Sequence, residues 1–565
     1  MMKHIKEQEI KGIYGIVISV FLIFLLVPLL LLLGKSFEGE GGISLVHYGE
    51  ILAGKGFLAA FGNSILLSFA SAATVTALAF VLAYTIYYTN VPKEMKRFIR
   101  LAAVAPLLLP TIAYGFAIRY SFGEQGLITR LLGGRLLGNS GFAGLWLGYV
   151  IYTLPTAFML IVHSMSFIDK KLMIVSRVMG DSPFRTFLGT ILRPLLGTLA
   201  ASFVQCFVLC FTDYGIPESV GGEIEVLATV LYSEILGSVP NLNRGAAMAV
   251  LMLIPSALSI FLLHCLGRYN IRSNEGAPVE IRRGKLRDIL CGLVSCGILI
   301  WVLSIFAVVF AVPLTEEWPY RLCFTAEHIR QAFSDQSLLS VYENALLVAG
   351  LTALAGSLTA YGAALAVARS NLSKRFKRVI DRIALMTKGI PGMVIGIAFL
   401  FAFSGTPVQN TFFILVICNV VHFFFFPYRM MKGCLSKMNA SWETTALLMG
   451  DTWLKTIVRV VTPNAMTTLL KVFSYYFINA MVAVNAAIFI AGVRTAVIPT
   501  KIKELQDSAK SNEIFVLSLL TLATNLAVRG LFRYLAARKE NAGVYREGNL
   551  EESSAMDIRG LSERL

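Results

Sequence analysis

The sequence predicts an all-α membrane protein with about twelve transmembrane helices, and three observations support this prediction. Of its 565 residues, 56% are hydrophobic and only 15% are charged, whereas soluble proteins are usually about 25% charged. The mean hydropathy is +0.70. The apolar residues form blocks as long as the roughly 20 residues that a helix needs to cross lipid. A soluble globular fold is therefore excluded.

Twelve apolar segments are long enough to be considered as spans. The first begins in the basic sequence "MMKHIKEQEIKG" and has no small-residue cleavage site, so we expect it to be a retained span rather than a signal peptide. The expected spans are approximately 12–34, 63–88, 98–121, 142–165, 196–217, 244–267, 287–313, 341–368, 378–404, 410–431, 464–491 and 514–536.

The basic residues responsible for the net charge of +16 lie mainly in the loops between these spans. The even-numbered spans precede basic loops, such as "PKEMKRFIR" after span two and "SKRFKR" after span eight. Cytoplasmic loops of membrane proteins collect Lys and Arg, so the pattern predicts a multi-pass protein with both termini in the cytoplasm. Since no basic domain stands apart from the spans, we expect no nucleic-acid partner.

The chain contains two related halves of six spans. Asn63 and Asn344, which begin spans two and eight, are 281 positions apart, and so are Pro110 and Pro391 in spans three and nine. We therefore expect a first transmembrane domain at 1–267, a basic cytoplasmic linker at 268–287, a second transmembrane domain at 288–540 and a polar tail at 541–565. Parallel repeats of this kind occur in transporters.

A polar segment is also repeated, between spans four and five and between spans ten and eleven. The copies are "VMGDSPFRTFLGTILRP" and "LMGDTWLKTIVRVVTP", whose glycines Gly180 and Gly450 are 270 positions apart. Each is expected to form two short helices joined at the glycine on the cytoplasmic side. Their apolar residues suit a groove on another protein. The candidate contact residues are Val178, Met179, Gly180, Asp181, Phe184, Phe187, Glu443, Ala446, Met449, Gly450, Asp451, Trp453 and Leu454.

These segments resemble the "EAA" loops of binding-protein-dependent ABC importer permeases, with the pattern Glu-Ala-Ala, Gly and a later Pro. The second copy matches at Glu443, Ala446, Gly450 and Pro463, whereas the first has no acid in "LMIVSRVMG", where Ile174 stands. The resemblance implies a fused type I permease of the bacterial plasma membrane. It further implies two copies of a cytosolic ATPase subunit, docked on these loops, and an extracellular or periplasmic solute-binding protein.

The stretches "APLLLPTIAYGFAIRYSFGEQGLI" and "VHFFFFPYRMMKGC" narrow the resemblance to permeases for 2-aminoethylphosphonate, with ferric iron permeases as close relatives. The expected function is thus import of a small solute by alternating access, with a phosphonate as the main expectation and ferric iron as the alternative. A secondary transporter driven by an ion gradient is an alternative of another class. It would need no ATPase, and Asp213 alone would support it.

Polar residues and helix breaks inside the spans mark a candidate pathway, because ionisable groups at membrane depth usually face a cavity. Each residue also has a structural interpretation: an ordinary kink, a wetted helix end, a side chain that reaches the interface, or an interhelical hydrogen bond. The candidates are Pro110, Arg119, Asp213, Lys388, Pro391, His422 and Asn485.

We expect neither a metal site nor a bound cofactor in this chain. Cys206 and Cys210 lie one helical turn apart, but no His or acid completes a ligand set. The triplet Gly34-Lys35-Ser36 lacks the earlier glycine of a nucleotide-binding loop, since position 29 is leucine. ATP and Mg²⁺ are therefore expected on the separate ATPase, and the chain is expected to be a transporter subunit rather than an enzyme.

Overall fold

The computed structural model describes residues 2–39, 41–123, 126–132, 141–222, 224–266, 284–439 and 441–562. Most of the expected linker at 268–287 lies outside the described residues. The described part of the chain is helical, apart from two short antiparallel hairpins that follow the first span of each half.

The described elements of the first half run from the N-terminus to residue 266. They are α1 (Met2–Phe21), a π-helical turn (Leu22–Leu26), α2 (Val27–Ser36), β1 (Glu38–Gly39), β2 (Gly42–Ile43), α3 (Val46–Ala53), α4 (Lys55–Tyr88), α5 (Lys93–Ala102), a 3-10 turn (Ala105–Leu108), α6 (Thr111–Phe122), α7 (Leu127–Leu132), α8 (Gly141–Ser166), α9 (Lys171–Val178), α10 (Pro183–Phe187), a π-helical turn (Leu188–Leu192), α11 (Arg193–Phe211), α12 (Gly215–Val220), α13 (Leu227–Leu236) and α14 (Leu242–Leu266).

The described elements of the second half follow the same order. They are α15 (Lys285–Ala311), a 3-10 turn (Val312–Leu314), β3 (Thr315–Glu317), β4 (Arg321–Phe324), α16 (Glu327–Ser334), α17 (Gln336–Ala368), α18 (Lys374–Gly389), α19 (Gly392–Phe403), α20 (Phe412–His422), α21 (Phe425–Lys437), α22 (Ser441–Leu448), α23 (Trp453–Thr456), a π-helical turn (Ile457–Val461), α24 (Thr462–Val482), α25 (Ala487–Ile490), a 3-10 turn (Val493–Thr495), α26 (Ile498–Asp507) and α27 (Ser511–Ser562).

The span count agrees with the predicted architecture. Among the described residues, eight helices are long and apolar enough to cross a membrane, and the number rises to eleven if each bent helix pair is one span. The helix α24 lies at the predicted span eleven but is not one of these eleven; it carries the polar residues Lys471 and Asn479.

Three spans are bent, and two of the bends were predicted from proline. Span three bends by 106° and span nine by 105°, at Pro110 and Pro391. Both prolines are extended, with φ/ψ of −61°/147° and −58°/145°, and each immediately precedes a new helix. Because proline has no N–H, it interrupts the hydrogen-bond ladder of a continuous helix. The third bend, of 57° between α20 and α21, was not predicted.

Equivalent hydrogen bonds show that the halves repeat one another in detail. Lys96 Nζ donates to the carbonyl oxygen of Thr89 at 2.6 Å, and Lys377 Nζ donates to that of Ser370 at 2.7 Å. Lys377 lies 281 positions after Lys96, and Ser370 lies 281 positions after Thr89. The Asn63 and Asn344 amides likewise donate to backbone carbonyls just before α13 and α26, respectively. The repeat found in the sequence is thus also a repeat of contacts.

The first helix of each half packs against the opposite half. The helix α1 packs on α17, and α2 packs on α19, with the rings of Phe21 and Phe424 4.4 Å apart. Conversely, α15 packs on α4 and α6, where the hydroxyls of Thr85 and Ser295 lie 2.8 Å apart. This exchange of first helices joins the two halves.

Glycines let the second arm of each bent span approach the segment that follows span five or span eleven. A Cβ on Gly115 would lie 1.9 Å from Ser219 Oγ, and one on Gly396 would lie 2.8 Å from the carbonyl oxygen of Ala486. Glycine at these two positions therefore permits close packing that a larger residue would block.

We expect Gly396→Ala to destabilise the protein by about 1–3 kcal/mol, the usual result of forcing a methyl group into a packed core. The measurement is thermal unfolding of the purified chain in detergent. Gly350→Ala in α17 is the matched control, since no atom lies within 4 Å of its added Cβ. Equal midpoints for the two variants would contradict the close-packing interpretation.

Candidate functional site

The first candidate surface consists of two helical elbows, which we define as residues 171–188 and 441–458. In the first elbow, α9 ends at Val178 and α10 begins at Pro183; in the second, α22 ends at Leu448 and α23 begins at Trp453. The glycines at the bends have φ of +84° at Gly180 and +85° at Gly450. Such left-handed backbone favours glycine, which explains why both copies keep it.

The backbone closes each bend in the same way. The N–H of Asp181 donates to the Ser176 carbonyl at 3.1 Å, and that of Asp451 donates to the Ala446 carbonyl at 2.9 Å. This six-residue closure around a left-handed glycine is the Schellman ending of a helix. The side chain at the start of each next helix then caps it: Ser182 accepts from the Arg185 N–H, and Thr452 from the Lys455 N–H.

The aspartate side chain of each elbow contacts residues of that same elbow. Asp181 Oδ2 accepts from the Ser176 hydroxyl at 2.8 Å, and its Oδ1 lies 3.3 Å from Arg185 Nε. Asp451 pairs with Lys455 one turn further along the chain. Both carboxylates therefore fix the local bend, whatever else they contact.

Exposed apolar side chains occupy equivalent positions on the two elbows. Each pair below is separated by 270 positions, and all six side chains are exposed. The pairs are Val178 with Leu448, Met179 with Met449, and Phe184 with Leu454. Contiguous exposed apolar residues commonly mark protein interaction sites. Their repetition at the same offset gives the two elbows equivalent exposed apolar surfaces.

Two of the aromatic residues expected on this surface lie elsewhere. Trp453 is 3% exposed, in a helix that packs on α22 and α1. Phe187 is half-buried, and its ring lies 6.1 Å from Phe80 and 5.9 Å from Tyr84 of α4. In this structure Trp453 is therefore not exposed on the elbow surface and Phe187 is only partly exposed, because the amphipathic pattern predicts apolar side chains but not which side they face.

Glu443 was expected to contact the partner, but it is buried within the chain. Its carboxylate receives two hydrogen bonds of 2.6 Å from the Arg369 guanidinium. The same guanidinium donates to the carbonyls of Met438 at 2.8 Å and Asn439 at 2.9 Å. Arg369 follows the last residue of α17, so this ion pair fixes the second elbow to the C-terminal end of that span.

Among the residues that the structure describes, the first elbow has no ion pair equivalent to Arg369–Glu443. Met173 lies seven residues before Gly180, as Glu443 does before Gly450, and Tyr88 occupies the position equivalent to Arg369. The elbows are thus equivalent in shape and in exposed surface, but they are attached to their spans by different chemistry. The sequence motif alone placed Ile174 at the position of the acid. Counting back from the glycine instead places Met173 there.

The second candidate site is a polar junction between the halves at the breaks in spans three and nine. Asp213 is fully buried and accepts at Oδ2 from the Ile216 N–H at 2.9 Å. Asn485, from the other half, accepts from the Tyr214 N–H at 3.2 Å. The junction therefore joins residues that are 271 to 272 positions apart in the chain.

Because Pro110 and Pro391 break their spans, the backbone that follows each proline lies close to these polar groups. A Cβ on Gly392, directly after Pro391, would meet Asn485 Cβ at 3.1 Å and His422 Nε2 at 3.3 Å. In the first half the glycine lies on the other element of the contact. It is Gly215, after span five, and it packs against Thr111, which directly follows Pro110. Pro110, Asp213, Pro391, His422 and Asn485 thus lie around one junction.

Two other pathway candidates are placed differently. Arg119 is exposed, two turns beyond the break in α6. Lys388 is half-buried, with its Nζ 5.2 Å above the ring of Phe425. Within the described ranges, no group of three His, Cys, Asp or Glu side chains is arranged to hold a metal ion.

Sequence reasoning missed a second polar contact between the halves, between Glu218 and α26. Lys503 Nζ lies 2.7 Å from Glu218 Oε1, and Gln506 Nε2 donates to the Glu218 carbonyl at 2.9 Å. The partners are separated by more than 280 residues, and neither sits in a repeated motif. No local signal could therefore have paired them.

Comparisons with known proteins match both halves of the chain to one family. The family described as "binding-protein-dependent transport system inner membrane component" matches residues 78–273 and 354–541, which together make up more than half of the chain. The long apolar helices and these matches make this a multi-pass membrane protein.

Among relatives, the ferric transport system permease protein FbpB of Actinobacillus pleuropneumoniae is 25% identical over 519 residues, covering 87% of this chain and 73% of its own. PhnU of Salmonella typhi, named for 2-aminoethylphosphonate transport, is 24% identical over 261 residues, covering 44% of this chain and 88% of its own. A solved bacterial ABC transporter that imports alginate aligns with 45% of this chain and 96% of its own, at 16% identity and a TM-score of 0.38.

Proposed function

Because this chain belongs to the family of binding-protein-dependent transport system inner membrane components, we propose that it is the membrane subunit of an ABC importer for ferric iron. A separate ATPase supplies the energy, and a solute-binding protein delivers the cargo. The observation that carries the proposal is the pair of elbows with equivalent exposed apolar residues. A transporter driven only by an ion gradient would have no use for two such docking surfaces.

Ferric iron is favoured over the phosphonate that the short sequence stretches suggested. The ferric permease relative aligns along 87% of this chain, including both halves, whereas the phosphonate-named relative covers 44%. A fused two-half arrangement is therefore shared with the ferric relative over most of its length. The phosphonate remains the competing cargo in the test below.

The proposed mechanism is alternating access. Two ATPase subunits, one on each elbow, approach each other when ATP binds, and the elbows transmit this movement to the spans. Since a ligand shifts a conformational equilibrium only by its differential affinity for the two states, the elbow contacts must differ in energy between them. The polar junction and the Glu218–Lys503 contact then separate and open the cavity outward. Both termini lie in the cytoplasm, as the loop charges favour.

We expect proteoliposomes that contain this chain, its ATPase and its binding protein to accumulate radioactive ferric iron only when ATP is enclosed on the ATPase side. The measurement is retained iron against time, with excess unlabelled 2-aminoethylphosphonate as the competitor control. Accumulation of labelled phosphonate instead of iron would contradict the proposal that ferric iron is the cargo. Accumulation of either one without the ATPase would overturn the ABC mechanism.

A further inference from the structure

Spans three and nine each begin with a helix that is far more basic than the arm that follows it. These helices are α5 (Lys93–Ala102) and α18 (Lys374–Gly389). The chain bends by 106° after the first and by 105° after the second, into the apolar arms α6 and α19. Because the two arms of such a pair cannot form one straight span, each basic helix is directed away from the axis of its apolar arm.

The basic residues of each helix share one side of it. In α5 they recur at intervals of three and four residues, which brings them to the same helical face. Three of these positions are basic again in α18, 281 positions later. The basic residues are Lys93, Lys96, Arg97 and Arg100 in α5, and Lys374, Arg375, Lys377, Arg378 and Arg382 in the first part of α18.

Most of this positive charge is not neutralised by acids of the chain. Each helix has a single acid, Glu94 in α5 and Asp381 in α18, and Asp381 already pairs with Lys432 of α21. Within the described ranges, four exposed cations of the two helices have no carboxylate at ion-pair distance. They are Lys93, Arg97, Lys374 and Arg378.

Exposed apolar side chains border the basic face in both helices. Phe98 and Val379, which are also 281 positions apart, are 48% and 39% exposed. The next residues, Ile99 and Ile380, are buried in the hydrophobic core and attach each helix to the bundle. Each helix thus has a buried side, an exposed apolar edge and a basic face, as helices that lie in a membrane interface do.

A further cation joins the basic face of α5. The Arg100 guanidinium carbon lies 5.8 Å from the centre of the Tyr87 ring, and Lys170 Nζ lies 5.9 Å from the same centre. Lys170 directly precedes α9, the first helix of the first elbow. Since like charges from separate segments repel one another, an anion beside this surface would stabilise their approach.

We propose that α5 and α18 bind the headgroups of anionic phospholipids of the inner leaflet, with their exposed apolar edges in the acyl region. Basic clusters on amphipathic helices next to membrane spans attract anionic lipid, and the loop charges favour the cytoplasmic side for both helices. A lipid fits better than a groove on a soluble protein, because the cations adjoin an apolar edge at the end of a span. The inference does not depend on which solute the protein carries.

The test compares phosphatidylglycerol with phosphatidylcholine, each spin-labelled on an acyl chain, around the full chain in liposomes. We expect phosphatidylglycerol to be enriched at the protein surface by about threefold or more. The enrichment should fall as NaCl is raised from about 50 to 500 mM, because salt screens exposed charges. A variant with glutamine at the four exposed cations should lose about half of the preference or more. Its substitutions are Lys93→Gln, Arg97→Gln, Lys374→Gln and Arg378→Gln.

The matched control removes four exposed cations from segments that follow odd-numbered spans, and it should keep the preference. Its substitutions are Lys55→Gln, Arg330→Gln, Arg494→Gln and Lys510→Gln. A variant that exchanges Lys for Arg and Arg for Lys at the four positions of α5 and α18 should also keep it.

Three outcomes would overturn the proposal. The first is equal enrichment of the two lipids around the unmodified protein at low salt, which needs no variant to fold. The second is an equal loss of preference in the control, since net charge alone would then attract the lipid. The third is an unchanged preference in the glutamine variant together with loss of ATPase co-purification, which would make this surface a protein docking site.

Discussion

A double variant with one aspartate on each elbow, Met179→Asp with Met449→Asp, is expected to abolish ATP-driven uptake. Both side chains are exposed, by 78% and 80%, so in the free chain the new carboxylates remain in water and folding should change by less than about 0.5 kcal/mol. In a docked complex they would be buried without partners, and an unpaired charge in an interface costs about 2–5 kcal/mol. At roughly 1.4 kcal/mol per tenfold, ATPase binding at each elbow should weaken by about thirtyfold or more.

The measurement is co-purification of the ATPase together with uptake in proteoliposomes. Val493→Asp is the matched control: that side chain is 98% exposed, equally apolar, and located in the loop before span twelve rather than on an elbow. We expect the control to bind the ATPase and to transport normally. Normal uptake by the double variant would remove the coupling role of the elbows.

Loss of one partner of the Arg369–Glu443 pair is expected to give the largest loss of stability in the described chain. In Glu443→Ala the guanidinium stays buried, with its side chain 4% exposed, and has lost its counter-ion. Breaking a buried pair in this way costs about 3–5 kcal/mol. The second elbow would then detach from α17, so uptake should fall together with the unfolding midpoint.

The thermal unfolding midpoint in detergent and the yield of folded protein measure this effect. Lys455→Met is the control on the same elbow, because its pair with Asp451 is 34–44% exposed and such pairs contribute about 0–1 kcal/mol. The double variant Arg369→Met, Glu443→Leu should recover part of the loss, since no charge is left unpaired. A midpoint for Glu443→Ala equal to that of Lys455→Met would contradict the structural role of the pair.

Much of the fold could be predicted because its signals are local. A run of apolar residues defines a span wherever it occurs, as the agreement between the expected 142–165 and the observed Gly141–Ser166 shows. Pro110 and Pro391 break their spans because the missing N–H acts within one turn. The unpredicted bend at His422–Phe425 had a similar signal, since Pro427 cannot donate to the Phe423 carbonyl.

The candidate site was less predictable because its contacts are distant in the chain. The elbows themselves followed from a repeated motif, and their exposed methionines agree with the expected docking surface. The burial of Glu443 depends on Arg369, 74 residues earlier, and the second polar contact between the halves joins Glu218 to Lys503. Charge and hydropathy give the composition of a segment, but which residue it meets depends on the packing of whole helices.

The exchange of first helices has a consequence for how the protein is made. The helix α1 packs on α17, and α2 packs on α19 as well as on α14 of its own half; α17 and α19 follow α1 by more than 300 positions. During synthesis, the surfaces of α1 and α2 that contact the second half therefore remain exposed to lipid or an insertion chaperone until α19, which ends at Phe403, has been inserted. Truncated chains that stop after the sixth span should accordingly be cleared by quality-control proteases rather than persist as half-sized bundles.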